Sequence, residues 1–390
     1  MSVWTRSASA AAHCRPADGQ RSVPQGLGYG SVSLSTNSSP TTLAEFEAAY
    51  ESALSEGTLA YFSGAAADEL TLRSNEAAWQ QITLRPRVMI DVSERDASVE
   101  VLGHRHSSPI VVAPTAYHRL AHPGGEEETA RGAAAAGCTY TLSSLSTSRP
   151  SAIAASGVEG RRWFQVYVFR DRAVTRDLIA EAVEAGFEAL LLTVDLPVLG
   201  RRDREISSGF MIGHAETVPG VSAAGGEGVI SMQDTADLID PSLTWDDVAE
   251  LVEGSDLPVL VKGVLRGDDA ALAIQSGAAG VVVSNHGGRQ LDTVPATAEV
   301  LAEVVEAVAG DGEVLVDGGI RRGTDVAKAL IIGASAVLVG RPVLWGLAAD
   351  GASGVAAVLG ILEDEFDRAL ALLGVPSARD LVGRGDLILP

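Results

Sequence analysis

From residue 109 onward one pattern recurs: a short apolar run, a polar or glycine-rich break, then an Ala-rich amphipathic stretch. The runs are PIVVAPT (109–115), CTYTLSS (138–144), WFQVYV (163–168), ALLLTVD (189–195), PVLVKG (258–263), AGVVVSN (279–285), EVLVDGG (313–319) and SAVLVGR (335–341), eight in all. Their apolar character is continuous rather than alternating, which marks strands covered on both faces, as in a parallel sheet. GEEETARGAAAAG (125–137) reads as a helix opening on acids, which suits the helix dipole. DRAVTRDLIAEAVEAG (171–186) has helical apolar spacing and a glycine stop, and several later stretches behave likewise. Eight strand–helix units predict a closed (β/α)8 TIM barrel. A doubly wound sheet would call for a GxGxxG turn after an early strand, and the sequence has none there.

Gln165, Asp195, Lys262, His286, Asp317 and Arg341 each fall near the C-terminal end of a different predicted strand. In a barrel those ends converge on one mouth, the usual place for an active site. Around the barrel, 41–108 reads as helices followed by short strands that could close the floor. The Gly-, Ser- and acid-rich stretch 203–243 reads as a lid loop or as disordered. Residues 1–40 read as a flexible N-terminal extension, leaving 41–390 as the barrel domain.

Charge narrows the partners. The formal net charge is −22 and the sequence pI about 4.6, which disfavours nucleic acid and anionic membrane surfaces. An anionic substrate would therefore need its own local arginines. Two cysteines, Cys14 and Cys138, fit a reduced, cytoplasmic protein without a disulfide framework. No CxxC or HExxH suggests a metal, no unbroken apolar run reaches the ~18 residues of a membrane span, and the N-terminus lacks a signal-peptide core.

In VVVSNHGGRQLD (281–292) a buried strand ends by presenting His286 and Arg289 on a glycine-softened loop. His286 there suits a general base, with Asp195 from another strand end holding one ring nitrogen. LGRRDRE (199–205) puts Arg201 and Arg202 just past the fourth strand, and with Arg289 they could grip a planar carboxylate; surface salt bridges are the plain alternative. VDGGIRRG and VGRP bring glycines, Arg321 and Arg341 to the ends of strands seven and eight, where barrels commonly bind phosphate. Lys262, among apolar neighbours, suits either a Schiff base or a positive charge beside a cofactor. Tyr61 and Tyr167 could each aim a phenol at a ligand or be structural.

The combination resembles the FMN-dependent α-hydroxy-acid oxidase and dehydrogenase family over about residues 45–385. The resemblance rests on SNHGGRQLD (284–292), APTAYHRLAHPGGE (113–126), TLSSLST (141–147), FQVYV (164–168), LTVDLPVLGRR (192–202), LPVLVKGV (257–264) and VDGGIRRGTDVAKAL (316–330). It implies that His286 acts as the base on the substrate, paired with Asp195, while Arg202 and Arg289 hold the carboxylate with Tyr61 helping and Tyr167 bonds the substrate oxygen. FMN would lie against Lys262, which removes the Schiff-base option, with Ser143, Gln165, Thr193, Ser284 and the backbone of Pro114, Thr115 and Ala116 around its ring. Asp317 would bind the ribityl chain, and Gly319, Arg321, Gly340 and Arg341, with Gly318 beside them, the phosphate. Glycolate-oxidising members carry a tryptophan where this chain has Leu145, which implies room for a bulkier substrate. Tyr117 could pack on an aryl ring, and the pattern is closest to that of the hydroxymandelate oxidases. The resemblance thus implies oxidation of an (S)-2-hydroxy acid, mandelate or 4-hydroxymandelate, with oxygen as acceptor, by a homotetramer or octamer. Lactate or glycolate is the alternative substrate, and an FMN carrier the non-enzymatic alternative.

Overall fold

In the computed structural model, which describes residues 40–389, the eight apolar runs form the eight strands of one closed parallel barrel. The strands are β1 (Ile110–Val112), β2 (Thr139–Ser143), β3 (Arg162–Val166), β4 (Leu190–Thr193), β5 (Val259–Val264), β6 (Gly280–Val283), β7 (Glu313–Val316) and β8 (Ala336–Val339). Each pairs with its neighbour in chain order, and β8 closes on β1 through Val337 opposite Ile110. The predicted 1–40 extension and Cys14 fall outside the described residues, apart from Pro40. Cys138 is buried as a free thiol just before β2.

Helices alternate with the strands as the amphipathic stretches predict. Three precede the barrel: α1 (Leu43–Ala53), α2 (Glu56–Ser63) and α3 (Leu70–Gln81). After β1, β2 and β3 come α4 (Gly125–Ala135), α5 (Pro150–Ala155) and α6 (Arg172–Glu184). The acids opening α4 do more than complement a dipole. Glu126, fully buried, accepts the backbone N–H of His118 at 3.1 Å and of Thr147 at 2.7 Å, and the Ser148 hydroxyl at 3.1 Å. It thereby ties the loop after β1 to the loop after β2.

The connection 203–243 departs from the expected structureless lid. It contains α7 (Asp203–Ser208), α8 (Pro219–Ala223), α9 (Met232–Asp237) and a two-stranded ribbon, Gly213–His214 against Val229–Ile230. Within it Ile212, Val218, Val221, Ile230 and Ile239 are all buried. Their irregular spacing among glycine, serine and acids carries no helical or strand period, which is why the sequence read as loop. The remaining helices, α10 (Trp245–Glu253), α11 (Gly267–Gln275), α12 (Thr297–Val308) and α13 (Gly323–Ile332), complete the ring with α14 (Arg341–Leu373).

Among the described residues α14 is long and apolar enough to cross a membrane by length and composition. The sequence showed no such run because Asp350 interrupts it. Half of that apolar window is buried within the protein, where α14 packs on α1, α4 and α13. The helix is kinked at Asp350–Gly351. At the opposite end of the barrel from the mouth, the hairpin Val99–Val101 and His104–His106 meets β7, the Leu102 amide donating to Glu313 at 2.9 Å. That hairpin agrees with the short strands expected to close the floor.

Candidate active site

His286 leaves β6 in a left-handed backbone conformation, φ 58°, unusual for a residue with a side chain. Asn285, before it, is clamped from outside the barrel. Asn75 of α3 and Asn285 exchange amide hydrogen bonds, each 2.8 Å, in a buried reciprocal pair. The next element of the loop is fastened too, since Asp292 accepts the backbone amides of Leu70 and Thr71 at 3.2 and 2.8 Å. The loop is therefore rigid where the imidazole is held.

The imidazole lies between two partners. Its Nδ1 sits 2.8 Å from Asp195 Oδ1, and its Nε2 faces the Tyr167 hydroxyl at 3.4 Å. A carboxylate at Nδ1 fixes the proton there and leaves Nε2 as the acceptor. Burial pushes the imidazole below its usual pKa, outweighing the pull of Asp195 and helped by the charges of Lys262 and Arg202. The base form therefore persists at neutral pH. Burial opposes the Asp195 carboxylate, but His286 and Lys262 outweigh it and hold the acid ionised. Gly263 makes this packing possible: a Cβ there would stand 2.6 Å from the Asp195 Cβ.

Both arginines after the fourth and sixth strands reach the mouth, but Arg201 does not. It is exposed and paired with Asp203, as a surface salt bridge would be. Arg202 and Arg289 are brought together around Glu205, whose Oε1 accepts from both at 3.2 and 3.3 Å. Arg289 also lies over the Tyr61 ring, 4.9 Å from its centroid. Burial pushes the Tyr61 phenol up to about 12 and raises Tyr167 as well, so both stay protonated as donors. Nothing in the sequence reading singled out Glu205 or Asn75. Glu205 sits three residues after Arg202, a helical pairing distance that was available as a signal.

Deeper in the cleft the polar groups change character. Lys262 Nζ donates to Ser284 Oγ at 2.7 Å and pairs with Asp317 Oδ2 at 2.9 Å. Burial would neutralise this lysine, but Asp317 and Asp195 outweigh it and keep it charged. Ser143 Oγ donates to Gln165, whose amide donates on to Thr193 Oγ1 at 3.1 Å. At the far end, the first turn of α14 starts at Gly340. Arg321 is held by Glu76 at 2.7 Å. Arg341 donates to the carbonyls of Phe62, Gly64 and Gly287 and has no carboxylate partner among the described residues. Burial, with the charges of Arg289 and Arg321, pulls its pKa down to about 9.

Gly318 and Gly319 were read as letting a phosphate approach the backbone. The structure gives Gly319 a nearer reason: a Cβ there would stand 2.2 Å from the Asn75 carbonyl oxygen. The pair is shaped by α3 as well as by the cleft it lines. Tyr117 is a correction. It is fully buried, its ring 5.8 Å from that of Tyr61, and it is absent from the cleft wall. Its hydroxyl lies toward Thr235 without a hydrogen bond of normal geometry. The ring backs Tyr61 from behind, with Phe210 of the 203–243 connection stacked on Tyr61 at 4.8 Å. Leu145 does line the cleft, beside Ala116, Leu196 and Met232. Pro114 and Thr115 complete that wall, and the Thr115 hydroxyl bonds the buried His118.

These groups surround one cleft of about 1060 Å³, its open mouth included. The donor set fits a flavin mononucleotide. A buried Asp317 oxygen without a partner suits a polyol hydroxyl, a buried cation suits an electron-accepting ring, and a helix start with an unpaired guanidinium suits phosphate.

The profile of the FMN-dependent dehydrogenase family matches residues 50–386. An L-lactate oxidase of Nostoc sp. is 45% identical over 88% of this chain and 97% of its own length. Glycolate oxidase 1 of Zea mays is 46% identical over 87% of this chain and 94% of its own. Among solved structures, mandelate oxidase with (S)-4-hydroxymandelic acid superposes with a TM-score of 0.82 at 41% identity, covering 88% of this chain and 98% of that one.

Proposed function

The chain belongs to the FMN-dependent dehydrogenase family, and from that premise we propose that it oxidises an (S)-2-hydroxy acid of the aryl type, mandelate or 4-hydroxymandelate, to the 2-oxo acid with oxygen as acceptor. FMN is the cofactor, and oxidation of 2-hydroxy acids is the family's chemistry. The observation that carries the proposal is the line Asp195–His286–Tyr167 beside two guanidiniums at one mouth.

Bound FMN supplies the two-electron acceptor. The chain's own groups do the rest. Arg202 and Arg289 bind the substrate carboxylate, and Arg289 is steadied by the face of Tyr61. The Tyr167 hydroxyl, kept protonated by burial, donates to the substrate oxygen. His286 Nε2 takes the proton that the substrate gives up, and Asp195 stabilises the resulting imidazolium through Nδ1. Lys262 and Asp317 would hold the pyrimidine end and the ribityl chain of the cofactor, with Ser143, Gln165, Thr193 and Ser284 along its ring. Gly319, Gly340, Arg321 and Arg341 would hold its phosphate.

For an aryl substrate, support comes from the apolar wall of Leu145, Leu196 and Met232. Tyr117 supports it only indirectly, by holding Tyr61 in place. A second reading, lactate or glycolate, is favoured by the relatives that carry those names at 45–46% identity. Anaerobic mixing with (S)-mandelate, (S)-4-hydroxymandelate, (S)-lactate and glycolate, followed by flavin absorbance, decides between them. Fast bleaching by the aryl acids supports the proposal. Bleaching only by lactate or glycolate keeps the chemistry and replaces the substrate, and re-admitting air reports whether oxygen restores the colour.

A further inference from the structure

Glu205 is buried, 7% exposed, and lies between the two arginines that the proposed function assigns to the substrate carboxylate. Both ion pairs use the same oxygen, Oε1. A carboxylate in this position can be a burden, since it competes with the acid the arginines must bind. Its effect on charge and on donor supply gives it a use.

Each guanidinium carries five N–H donors. Arg202 spends three, on the Arg289 carbonyl, Glu205 and Gln290. Arg289 spends three, on the carbonyls of Tyr61 and Gly64 and on Glu205. Two donors remain on each, which matches the roughly four lone-pair sites of one carboxylate. The charge count agrees. A buried and a half-buried guanidinium with one buried carboxylate leave a single positive charge, enough to neutralise one carboxylate and no more. Two adjacent cations so far removed from water, without a counter-ion, would be costly before any ligand arrived.

Resting on the reading of Arg202 and Arg289 as the substrate clamp, we propose that Glu205 is a specificity-determining residue that limits the clamp to one net charge and so selects monoanionic 2-hydroxy acids over dianionic ones. Glu205 acts through the arginines and not on the reacting atoms, so it is a positioning residue in the reaction.

The test compares two ligands of nearly equal size that differ by one charge, oxalate and pyruvate, titrated anaerobically into the FMN-loaded enzyme and followed by perturbation of the flavin spectrum. Glu205→Gln keeps the shape and the acceptor oxygen while removing the charge. It is expected to raise the ratio of oxalate to pyruvate affinity by about tenfold, because the clamp then holds two charges. Glu205→Asp retains the charge and is expected to keep the parent ratio within about threefold. If E205Q fails to hold FMN, Arg202→Gln carries the same test with opposite sign, lowering the ratio. A ratio unchanged in E205Q, or in R202Q where that variant is the one used, overturns the proposal. Failure of the clamp reading has a separate signature: Arg289→Lys would leave both affinities at the parent value.

Discussion

At one end of the cleft Arg202 and Arg289 share the carboxylate of Glu205; at the other, Arg341 donates only to the carbonyls of Phe62, Gly64 and Gly287. The first end has half of its positive charge offset before a ligand arrives. The second holds a cation whose charge burial disfavours, pulling its pKa to about 9. A half-buried cation left without a counter-ion is a place for an anion of its own, and the helix start at Gly340 adds partial positive charge beside it. On the proposed function, the contrast separates two anions within one protein of net charge −22: a monocarboxylate at the balanced end and a phosphate at the unbalanced one.

Removing the chemistry between the ends should have the largest effect. His286→Ala leaves both sets of arginines in place, so FMN and the acid should still bind while the rate of flavin reduction falls by about 10²–10⁴-fold. Single-turnover absorbance under anaerobic conditions measures it, and reduction at the parent rate would refute the assignment of the base. Next comes the unbalanced end. Arg341→Gln should weaken FMN by roughly 10- to 100-fold, the range for a charge-assisted hydrogen bond, and leave riboflavin binding unchanged; equal losses for both ligands would place the phosphate elsewhere. At the balanced end, Arg289→Lys should raise the KM of the acid by about tenfold through loss of the planar fork, with kcat moved less. A kcat loss with unchanged KM would mean that Arg289 acts on the transition state instead. The mildest lever is pH. Because the His286 pKa in the free enzyme lies below the ordinary 6.5, its base form is complete at neutral pH and is lost only as pH falls through that depressed value. The expected profile of kcat/KM is flat through pH 7 and falls about tenfold per unit on the acid side. An acid limb centred above 6.5 would contradict the burial effect.

The barrel was legible because each strand is covered on both faces, and eight continuous apolar runs are hard to read any other way. His286, Asp195, Lys262 and Asp317 were legible because a polar residue at the end of a buried strand has few structural excuses. The sequence did not reveal what those residues lean on. Asn75 and Asn285 are 210 residues apart, and no local period connects them. Glu205 escapes notice because RRDRE looks like a solvated charged stretch, and Arg201, Asp203 and Arg204 are indeed exposed while Arg202 and Glu205 are buried. Residue type and the family resemblance suggest Tyr117 for the substrate; in the structure its backbone is left-handed, φ 60°, and its ring lies against Tyr61, off the cleft wall. The 203–243 connection reads as loop by composition, yet it buries Ile212, Val218, Val221, Ile230 and Ile239 in a folded segment.

The Asn75–Asn285 pair also sets an order of assembly. Helix α3 leaves the ribosome long before β6, and its Trp79 donates to Gly318 after β7. Until the chain has been made past residue 292, α3 lacks Asn285 and Asp292 as partners, and Trp79 waits longer still, for Gly318. A nascent chain stopped after β5 would carry Asp195 and Lys262 yet have no imidazole to orient. Activity in this protein is thus a late event in synthesis, gained when an early helix and a late pair of loops meet.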